Sequence, residues 1–344
     1  MTRVFAVLLT LLALPLAVTV LALVVGALAS FILTLRVEAA HPPAGPDVAV
    51  RGGRLATIQD GPADGRPIVL LHGASANASD PMEGVGRRLA ARGFRVIAFD
   101  RPGFGYSDRI AGDEAAAPAV QARLIAEALK NLGIGPAIMF GHSWAGALAL
   151  ALALDHPERV AALALAAPVA MPMPDRMPDL PWYWRFAVKP PVAWLLSRTV
   201  GPPLAQRFLP EAARRVFQPQ PPMPDYAEKA RASLVLRPGT LLANVQDLLG
   251  LPAALATQSP RYGEIHVPTL VISGAADPIV RNEAQAIPLA RAIPGARLVL
   301  LPGIGHMLQY VAAEQVADEI TRLSEALPDG ASEAAGGPPS AAAR

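Results

Sequence analysis

Residues 137–146 have the sequence AIMFGHSWAG, and this stretch decides the fold. Its first four residues are apolar and predict a short buried strand, while a helix rich in Ala and Leu is predicted from Trp144 to Leu154. Ser143 therefore occupies a sharp turn between a strand and a helix, in a G-x-S-x-A pattern that has Ala145 where a second glycine is common. Such a turn exposes the serine Oγ beside the positive end of the helix. The stretch predicts a nucleophilic serine.

Apolar strands alternate with helices on both sides of this turn. Strands are predicted at residues 67–71, 94–99, 161–166, 269–273 and 297–301, helices at 80–92, 115–132 and 312–326, and two short strands within 47–60. Short, fully apolar strands that alternate with helices favour a mostly parallel, doubly wound α/β sheet that is covered on both faces. We expect this sheet to form a core from residues 47–170 and 266–326.

The alternation stops between residues 171 and 265. The first part of this insertion, residues 171–224, contains 13 prolines, four of the eight Met and three of the four Trp. Ligands bind outside the carboxyl ends of the strands in open α/β sheets, so we interpret residues 171–265 as a helical cap over that edge. Trp182 and Trp184 are candidate substrate contacts in an apolar tunnel. The alternative is that they only pack the cap on the core.

The chain begins with a long apolar segment. No charged residue occurs from Val4 to Leu35, a run of 32 residues. A bilayer core about 30 Å thick needs only about 20 helical residues, and the apolar part of a signal peptide is usually about 7–15 residues long. We therefore predict an uncleaved, membrane-spanning anchor over residues 1–36 and a stiff, Pro-rich spacer over 37–46. At the other end, residues 327–344 have a composition typical of a disordered tail.

The charges that flank the anchor leave its orientation open. Arg3 lies before the apolar run and Arg36 after it, so the positive-inside rule gives almost no preference. We expect a single-pass protein of a bacterial inner membrane, with the lipid bilayer as a partner through residues 4–35. The large domain is expected outside the cytoplasm, because a short anchor with few preceding residues more often leaves its terminus inside.

The composition excludes several other classes of protein. About half of the residues (52%) are hydrophobic, so the chain can bury a large core and is not generally disordered. A net charge of +2 gives no strong positive electrostatic potential that would attract a polyanion, so we expect no nucleic acid partner. The sequence has no cysteine and no other metal or cofactor motif, so we expect neither a metal nor a cofactor. The oligomeric state stays open.

A nucleophilic serine needs a base and an acid that orients the base. Of the six histidines, His306 fits best, because it follows the last predicted strand in the glycine-rich loop PGIGH. Asp277 lies just beyond the preceding strand, so both side chains are expected at the same edge of the sheet. For the oxyanion hole we expect the backbone N–H groups of Trp144, which follows Ser143, and of Ala74, which follows an earlier strand.

Five motifs occur in a fixed order along the chain. They are LLHG at residues 70–73, DRPGFGYS at 100–107, GHSWAG at 141–146, GAAD at 274–277 and GH at 305–306. Over about residues 47–325 the chain resembles the α/β-hydrolase superfamily, and within it the capped branch of serine hydrolases. The resemblance implies an acyl-enzyme mechanism in which Ser143 attacks, His306 shuttles the proton and Asp277 holds the imidazolium.

The resemblance leaves the substrate open. We predict a membrane-anchored serine hydrolase of carboxyl esters or related, mostly apolar carbonyl compounds, which act as its small-molecule substrates. The alternatives are hydrolysis of a carbon–carbon or amide bond on the same fold, and a non-catalytic accessory protein. Serine at position 143 disfavours epoxide hydrolases and haloalkane dehalogenases, which carry aspartate there.

Overall fold

The computed structural model describes residues 2–172 and 184–328. Within these ranges the strands are β1 (Asp47–Val50), β2 (Gly53–Asp60), β3 (Pro67–Leu71), β4 (Arg95–Phe99), β5 (Ala137–His142), β6 (Val160–Ala166), β7 (Thr269–Gly274) and β8 (Arg297–Leu301). The helices are α1 (Thr2–Ala40), α2 (Ser79–Pro81), α3 (Arg87–Ala91), α4 (Pro118–Asn131), α5 (Ala145–Asp155), α6 (Trp184–Ala187), α7 (Pro190–Arg198), α8 (Gly201–Phe217), α9 (Tyr226–Lys229), α10 (Pro238–Gln258), α11 (Ala286–Ala292), α12 (Leu308–Val311) and α13 (Ala313–Glu325). A π-helical turn, Met82–Gly86, joins α2 to α3.

The strands form one sheet in the order β1-β2-β4-β3-β5-β6-β7-β8. Strands β1 and β2 pair antiparallel, as do β2 and β4, whereas β3 to β8 are all parallel to one another. The mostly parallel sheet predicted from the sequence is therefore confirmed. The loops that follow β3, β5, β7 and β8 meet at one side of the sheet, which we call the carboxyl edge.

Helices cover both faces of the sheet. In β3, Val69 and Leu71 pack on one face with α4 and α5, whereas Ile68 and Leu70 pack on the other face with α3 and α13. All five residues of β3 are buried. Burial on both faces explains why the strands are continuous apolar runs instead of alternating apolar and polar residues.

Helix boundaries differ from the predicted ones where proline intervenes. The helix predicted over 115–132 begins at Pro118, because proline suits the first turn of a helix but interrupts one that has already begun. The residues before it form a 3₁₀ turn, Gly112–Ala116. Proline also marks a helix start within residues 171–265, where the long helix α10 begins at Pro238.

The insertion between β6 and β7 contains helices α6 to α10, which we call the cap. Its longest helix, α10, lies against the core, where Leu251 and Leu255 are buried in the same apolar cluster as α5. Of the two predicted substrate contacts, Trp182 lies outside the described residues. Trp184 is described only as the first residue of α6.

Helix α1 packs against the cap along part of its length. A Cβ at Gly26 would lie only 2.8 Å from Cγ1 of Val200, so the two backbones approach closely there. Further along the helix, Leu33 and Val37 are buried in a cluster with Leu234–Leu236 of the cap. The segment Ala13–Ala40 is long and apolar enough to cross a membrane, with a mean hydropathy of 2.7.

The predicted spacer differs from the structure. Helix α1 does not stop at position 36 but continues to Ala40. Beyond it, the hydroxyl of Tyr106 donates a hydrogen bond to the carbonyl of His41, and the guanidinium of Arg231 donates one to the carbonyl of Pro42. These contacts hold the connection against the core and the cap, so it is not a free, extended spacer.

Candidate active site

Ser143 lies in a strained turn between β5 and α5. Its φ is +54°, a left-handed conformation that residues other than glycine rarely adopt. Glycine is required at position 141, because a Cβ there would lie 2.5 Å from the carbonyl oxygen of Ala145. Ala145 itself is fully buried, so a methyl group fits at the second small position of the pattern. The turn presents Ser143 to a cavity at the carboxyl edge.

The structure brings Ser143, His306 and Asp277 together. The Nε2 atom of His306 lies 3.0 Å from Oγ of Ser143, and its Nδ1 atom lies 2.7 Å from Oδ2 of Asp277. When Nδ1 carries a proton and donates it to the carboxylate, Nε2 is left to accept the proton of the serine hydroxyl. The arrangement can therefore activate the serine as a nucleophile.

The loop after β7 holds the carboxylate of Asp277. The N–H groups of Ile279 and Val280 donate to its Oδ1 atom at 2.7 and 2.9 Å, and the side chain is fully buried. Hydrogen bonds to an ionised carboxylate favour that form. Oδ1 is thus occupied by the loop, and Oδ2 stays directed at His306.

His142 has no role in the sequence-based prediction, yet it supports His306. Its Nε2 atom donates to the backbone carbonyl of His306 at 3.1 Å, and the two rings lie 4.9 Å apart. Burial, together with the nearby imidazole of His306, lowers the pKa of His142 to about 3, so this ring is neutral at physiological pH. Its neighbour in sequence, Ser143, is the signal that could have identified it.

The N–H groups of Ala74 and Trp144 are available to an oxyanion. Neither donates a hydrogen bond to an acceptor in the part of the chain that the structure describes. A Cβ at Gly73 would lie 3.2 Å from Cβ of Ser143, so glycine lets the loop after β3 approach the serine closely. The structure therefore places both predicted donors beside Ser143.

Asn244 of the cap holds the loop that carries Ala74. Its Oδ1 atom accepts a hydrogen bond from the N–H of Ser75 at 2.7 Å, and its Nδ2 atom donates to Oγ of Ser75 at 3.0 Å. Ser75 has a φ of +57°, so these bonds fix a strained residue next to Ala74, whose N–H is a predicted oxyanion donor. Asn244 and Asp247 lie three residues apart on α10 and share one face of the helix.

A buried ion pair joins α10 to the core. Arg101 and Asp247 have fully buried side chains that lie 2.5 Å apart, and Arg109 contacts the second oxygen of Asp247 at 2.9 Å. The guanidinium of Arg101 lies between the rings of Phe104 and Trp144, 4.2 and 4.0 Å from their centroids. Burial lowers the pKa of Arg101 to about 10, so its guanidinium is charged at neutral pH. Because Arg101 also contacts the ring of Trp144, the ion pair connects the cap to the residue that follows Ser143.

A cavity of about 240 Å³ opens beside Ser143 and His306. The cap supplies an apolar part of its wall, formed by Leu209, Pro210, Ala212, Ala213, Val216, Ala227 and Ala232. No Lys or Arg occurs among the described residues that line it. Contact of Trp182 and Trp184 with a substrate stays a prediction, since their side chains lie outside what the structure describes.

The sequence matches a known family. The model of the alpha/beta hydrolase fold family matches residues 66–313. A curated relative, 2-hydroxy-6-oxo-6-phenylhexa-2,4-dienoate hydrolase from Burkholderia cepacia, is 30% identical over 269 residues, which cover 76% of this chain and 86% of the relative.

Solved structures match the fold as well. A thermophilic esterase from Thermogutta terrifontis superimposes with a TM-score of 0.62 and 26% sequence identity, covering 81% of this chain and 97% of the esterase. A bacterial membrane phospholipase A gives a TM-score of 0.61 and 24% identity, covering 96% of this chain and 100% of that one. Because so little of this chain is unmatched there, the shared fold includes most of α1.

Proposed function

Because this chain belongs to the alpha/beta hydrolase fold family, we propose that it is a serine hydrolase of a carbonyl compound with an apolar acyl part. The observation that supports this role most directly is the pair of hydrogen bonds from Ser143 to His306 and from His306 to Asp277. Ser143 is the nucleophile, His306 the general base and acid, and Asp277 the residue that orients the imidazole.

In the first half of the reaction, Oγ of Ser143 adds to the carbonyl carbon of the substrate while its proton moves to Nε2 of His306. The carboxylate of Asp277 stabilises the imidazolium that forms. The carbonyl oxygen becomes an oxyanion and accepts hydrogen bonds from the N–H groups of Ala74 and Trp144. Both donors are fixed before the reaction begins, so their dipoles need no reorientation.

In the second half, the adduct collapses and the acyl group is released. The bond between the carbonyl carbon and the leaving group breaks, and His306 gives its proton to the leaving group. The remaining ester of Ser143 is attacked by water, with His306 as the base, and Oγ then leaves with the proton. The net reaction consumes one water molecule and yields a carboxylic acid.

The sequence comparison favours a carbon–carbon bond as the one that is cleaved. The Burkholderia cepacia relative is named for a 6-oxo-6-phenyl dienoate, a ketone without an ester or amide bond, so its hydrolysis breaks a bond between the carbonyl carbon and another carbon. This chain covers 86% of that relative at 30% identity. Carbon–carbon hydrolysis is therefore our first candidate, ahead of the ester hydrolysis predicted from the sequence.

Ester hydrolysis is the second candidate, and the chemistry of the cavity is compatible with it. The described lining has no Lys or Arg that could pair with the carboxylate of a dienoate. An uncharged ester or an uncharged ketone suits this lining better. A structural relative with 26% sequence identity is an esterase.

Three substrates separate the candidates in assays of the full-length enzyme. The phenyl dienoate is an anionic ketone, benzoylacetone is an uncharged ketone, and p-nitrophenyl butyrate is an ester. We expect a higher kcat/KM for a ketone than for the ester, and no turnover of any of them by Ser143→Ala. Hydrolysis of the ester alone would make the second candidate correct. Turnover that is unchanged in Ser143→Ala would contradict both.

We also propose that α1 holds the enzyme at a membrane. Its segment Ala13–Ala40 is apolar, and side chains that do not face the cap, such as Val25 and Leu28, are apolar and exposed. A spanning helix is held by burial of apolar surface and not by charge, so the full-length protein should stay in the membrane pellet after a carbonate wash. A variant without residues 2–24 keeps the contact of Leu33 with the cap and should become soluble. Recovery of the full-length protein in the supernatant would contradict this proposal.

A further inference from the structure

Asp80 has no role in the mechanism above, although it lines the cavity beside Ser143. It is the one carboxylate among the described lining residues, and only 2% of its surface is exposed. Within the described ranges, no Lys or Arg forms an ion pair with it. A buried carboxylate without a counterion is costly, so its place in the cavity wall needs an explanation.

The oxygens of this carboxylate have weak partners. The hydroxyl of Tyr226 lies 3.4 Å from Oδ1, and Nε2 of Gln309 lies 3.4 Å from Oδ2, both beyond the usual hydrogen-bond length. The hydroxyl of Tyr310 donates at 2.8 Å to the backbone carbonyl of Asp80. An ionised carboxylate can accept about four hydrogen bonds. Asp80 therefore has spare acceptor capacity in the wall of the cavity.

The described groups around Asp80 include no Lys or Arg. Burial raises the pKa of Asp80 to about 6, against the opposing effects of hydrogen bonds from Gln309, Tyr226 and Tyr310 and of the nearby imidazole of His306. Burial also raises the pKa values of Tyr226 and Tyr310, so both phenols are neutral. The ring of His142 is neutral as well. At pH 7 and above, the wall therefore carries the negative charge of Asp80.

We propose that Asp80 determines specificity, because it excludes substrates that place a negative charge in the cavity and accepts a hydrogen bond from a hydroxyl or N–H group placed there. The inference rests on the proposed function in that it assigns the cavity beside Ser143 to the substrate. An anionic group that enters loses its water and meets a second anion, with no Lys or Arg in the described lining. An uncharged donor instead meets an acceptor with spare capacity. The preferred substrate is thus an uncharged ketone or ester.

Two ligands of equal chain length test this inference without turnover. Hexane-1-sulfonate is anionic throughout the working pH range, and hexanamide is uncharged and carries N–H donors. In the full chain with Ser143→Ala, we expect hexanamide to bind more tightly at neutral pH, measured by calorimetry. Adding Asp80→Asn should reduce that preference by about 10–100-fold, because it removes one charge at short range. The control Glu83→Gln removes a nearby acid that pairs with Arg87 and should leave the preference unchanged.

A pH series provides a second measurement in case Asp80→Asn does not fold. Lowering the pH from about 8 to about 5 protonates Asp80, whose pKa is about 6, so the sulfonate should gain affinity relative to the amide. His306 also faces the cavity. The series is therefore run on Ser143→Ala with His306→Ala added, which removes that imidazole, and it is repeated with Asp80→Asn where that variant folds.

The outcomes separate this inference from the proposed function. A ligand preference that is equal with and without Asp80 overturns the inference, and so does the absence of pH dependence in the variant without His306. Absence of turnover in the wild-type enzyme contradicts the proposed function instead. The ligand preference still measures the effect of Asp80 in that case, because binding to the Ser143→Ala protein needs no reaction.

Discussion

The carboxyl edge of the sheet and the cap contribute to one site in different ways. At the edge, Ser143, Asp277 and His306 lie in the loops or turn that follow strand ends and are joined by hydrogen bonds of 3.0 and 2.7 Å. The cap contributes an apolar wall and two polar residues of α10, Asn244 and Asp247, which contact the core. The difference teaches that the strands fix the positions of these three side chains, whereas the cap contributes to the shape of the cavity and holds the loop that carries Ala74.

Removal of the Ser143 hydroxyl tests the role of the carboxyl edge in the reaction. It should have the largest effect on activity of the variants proposed. We expect Ser143→Ala to lower kcat by about 10⁴-fold or more, because no acyl-enzyme can form. A fluorophosphonate probe should label the wild-type enzyme and not this variant. Asp277→Asn should cost as much as His306→Ala or less, because Asp277 acts only through the imidazole. Full activity and full labelling of Ser143→Ala would show that the reaction occurs elsewhere.

Loss of the ion pair between core and cap tests whether the two regions form one cooperative unit. Asp247→Asn leaves Arg101 buried and charged without its counterion, and such a loss costs about 3–5 kcal/mol. We expect a lower free energy of unfolding by about that amount, measured by denaturant unfolding in detergent.

The control for this variant is an ion pair on the surface of the cap. Asp225 and Lys229 lie 2.5 Å apart but are exposed, so Asp225→Asn should leave the stability unchanged. Equal stability of Asp247→Asn and Asp225→Asn would show that the cap does not depend on the buried pair for its attachment.

The two regions also differ in how far the sequence predicts them. Parallel strands bring their carboxyl ends to one edge whatever lies between them in the chain. The positions of Ser143, Asp277 and His306 after three apolar strands were therefore enough to predict that they meet. The predicted donors Ala74 and Trp144 follow from the same argument, since Ala74 lies in the loop after β3 and Trp144 comes directly after Ser143.

The polar contacts of the cap could not be predicted in this way. Asn244 contacts Ser75, 169 residues away, and Asp247 contacts Arg101, 146 residues away. No regular strand order fixes where an insertion folds back, so these pairs appear only in the folded cap. The spacing of two polar residues on one face of the long helix α10 was the available signal.

The role of Asp80 illustrates the same limit at the cavity itself. In the sequence, Asp80 is an acidic residue at the start of a helix, a position that usually favours a solvent-exposed carboxylate. The structure buries it instead, against Tyr226 of the cap and Gln309 of the core. The charge of the cavity, and with it the class of substrate, therefore depends on how the cap closes over the edge.

Asn244→Ala tests the hydrogen bonds between the cap and the loop after β3. Of the three variants Ser143→Ala, Asp247→Asn and Asn244→Ala, it should have the smallest effect. The variant removes both hydrogen bonds to Ser75, so the loop with the N–H of Ala74 can shift. Loss of a whole oxyanion donor costs about 10²–10³-fold in kcat. Because the donor is displaced and not deleted, we expect a loss of about 10–100-fold in kcat with little change in KM.

The affinity for a transition-state analogue separates this positioning role from a merely structural one. A trifluoromethyl ketone forms an oxyanion adduct with Ser143, so its affinity for Asn244→Ala should fall in proportion to kcat, whereas the affinity for hexanamide should hold. Gln246→Ala is the matched control, because Gln246 lies on the same helix and its side chain forms hydrogen bonds with Arg109 and Asp113. It should retain the wild-type kcat. A fall in stability and in hexanamide affinity, without a selective loss of the ketone adduct, would mean that Asn244 only attaches the cap to the core.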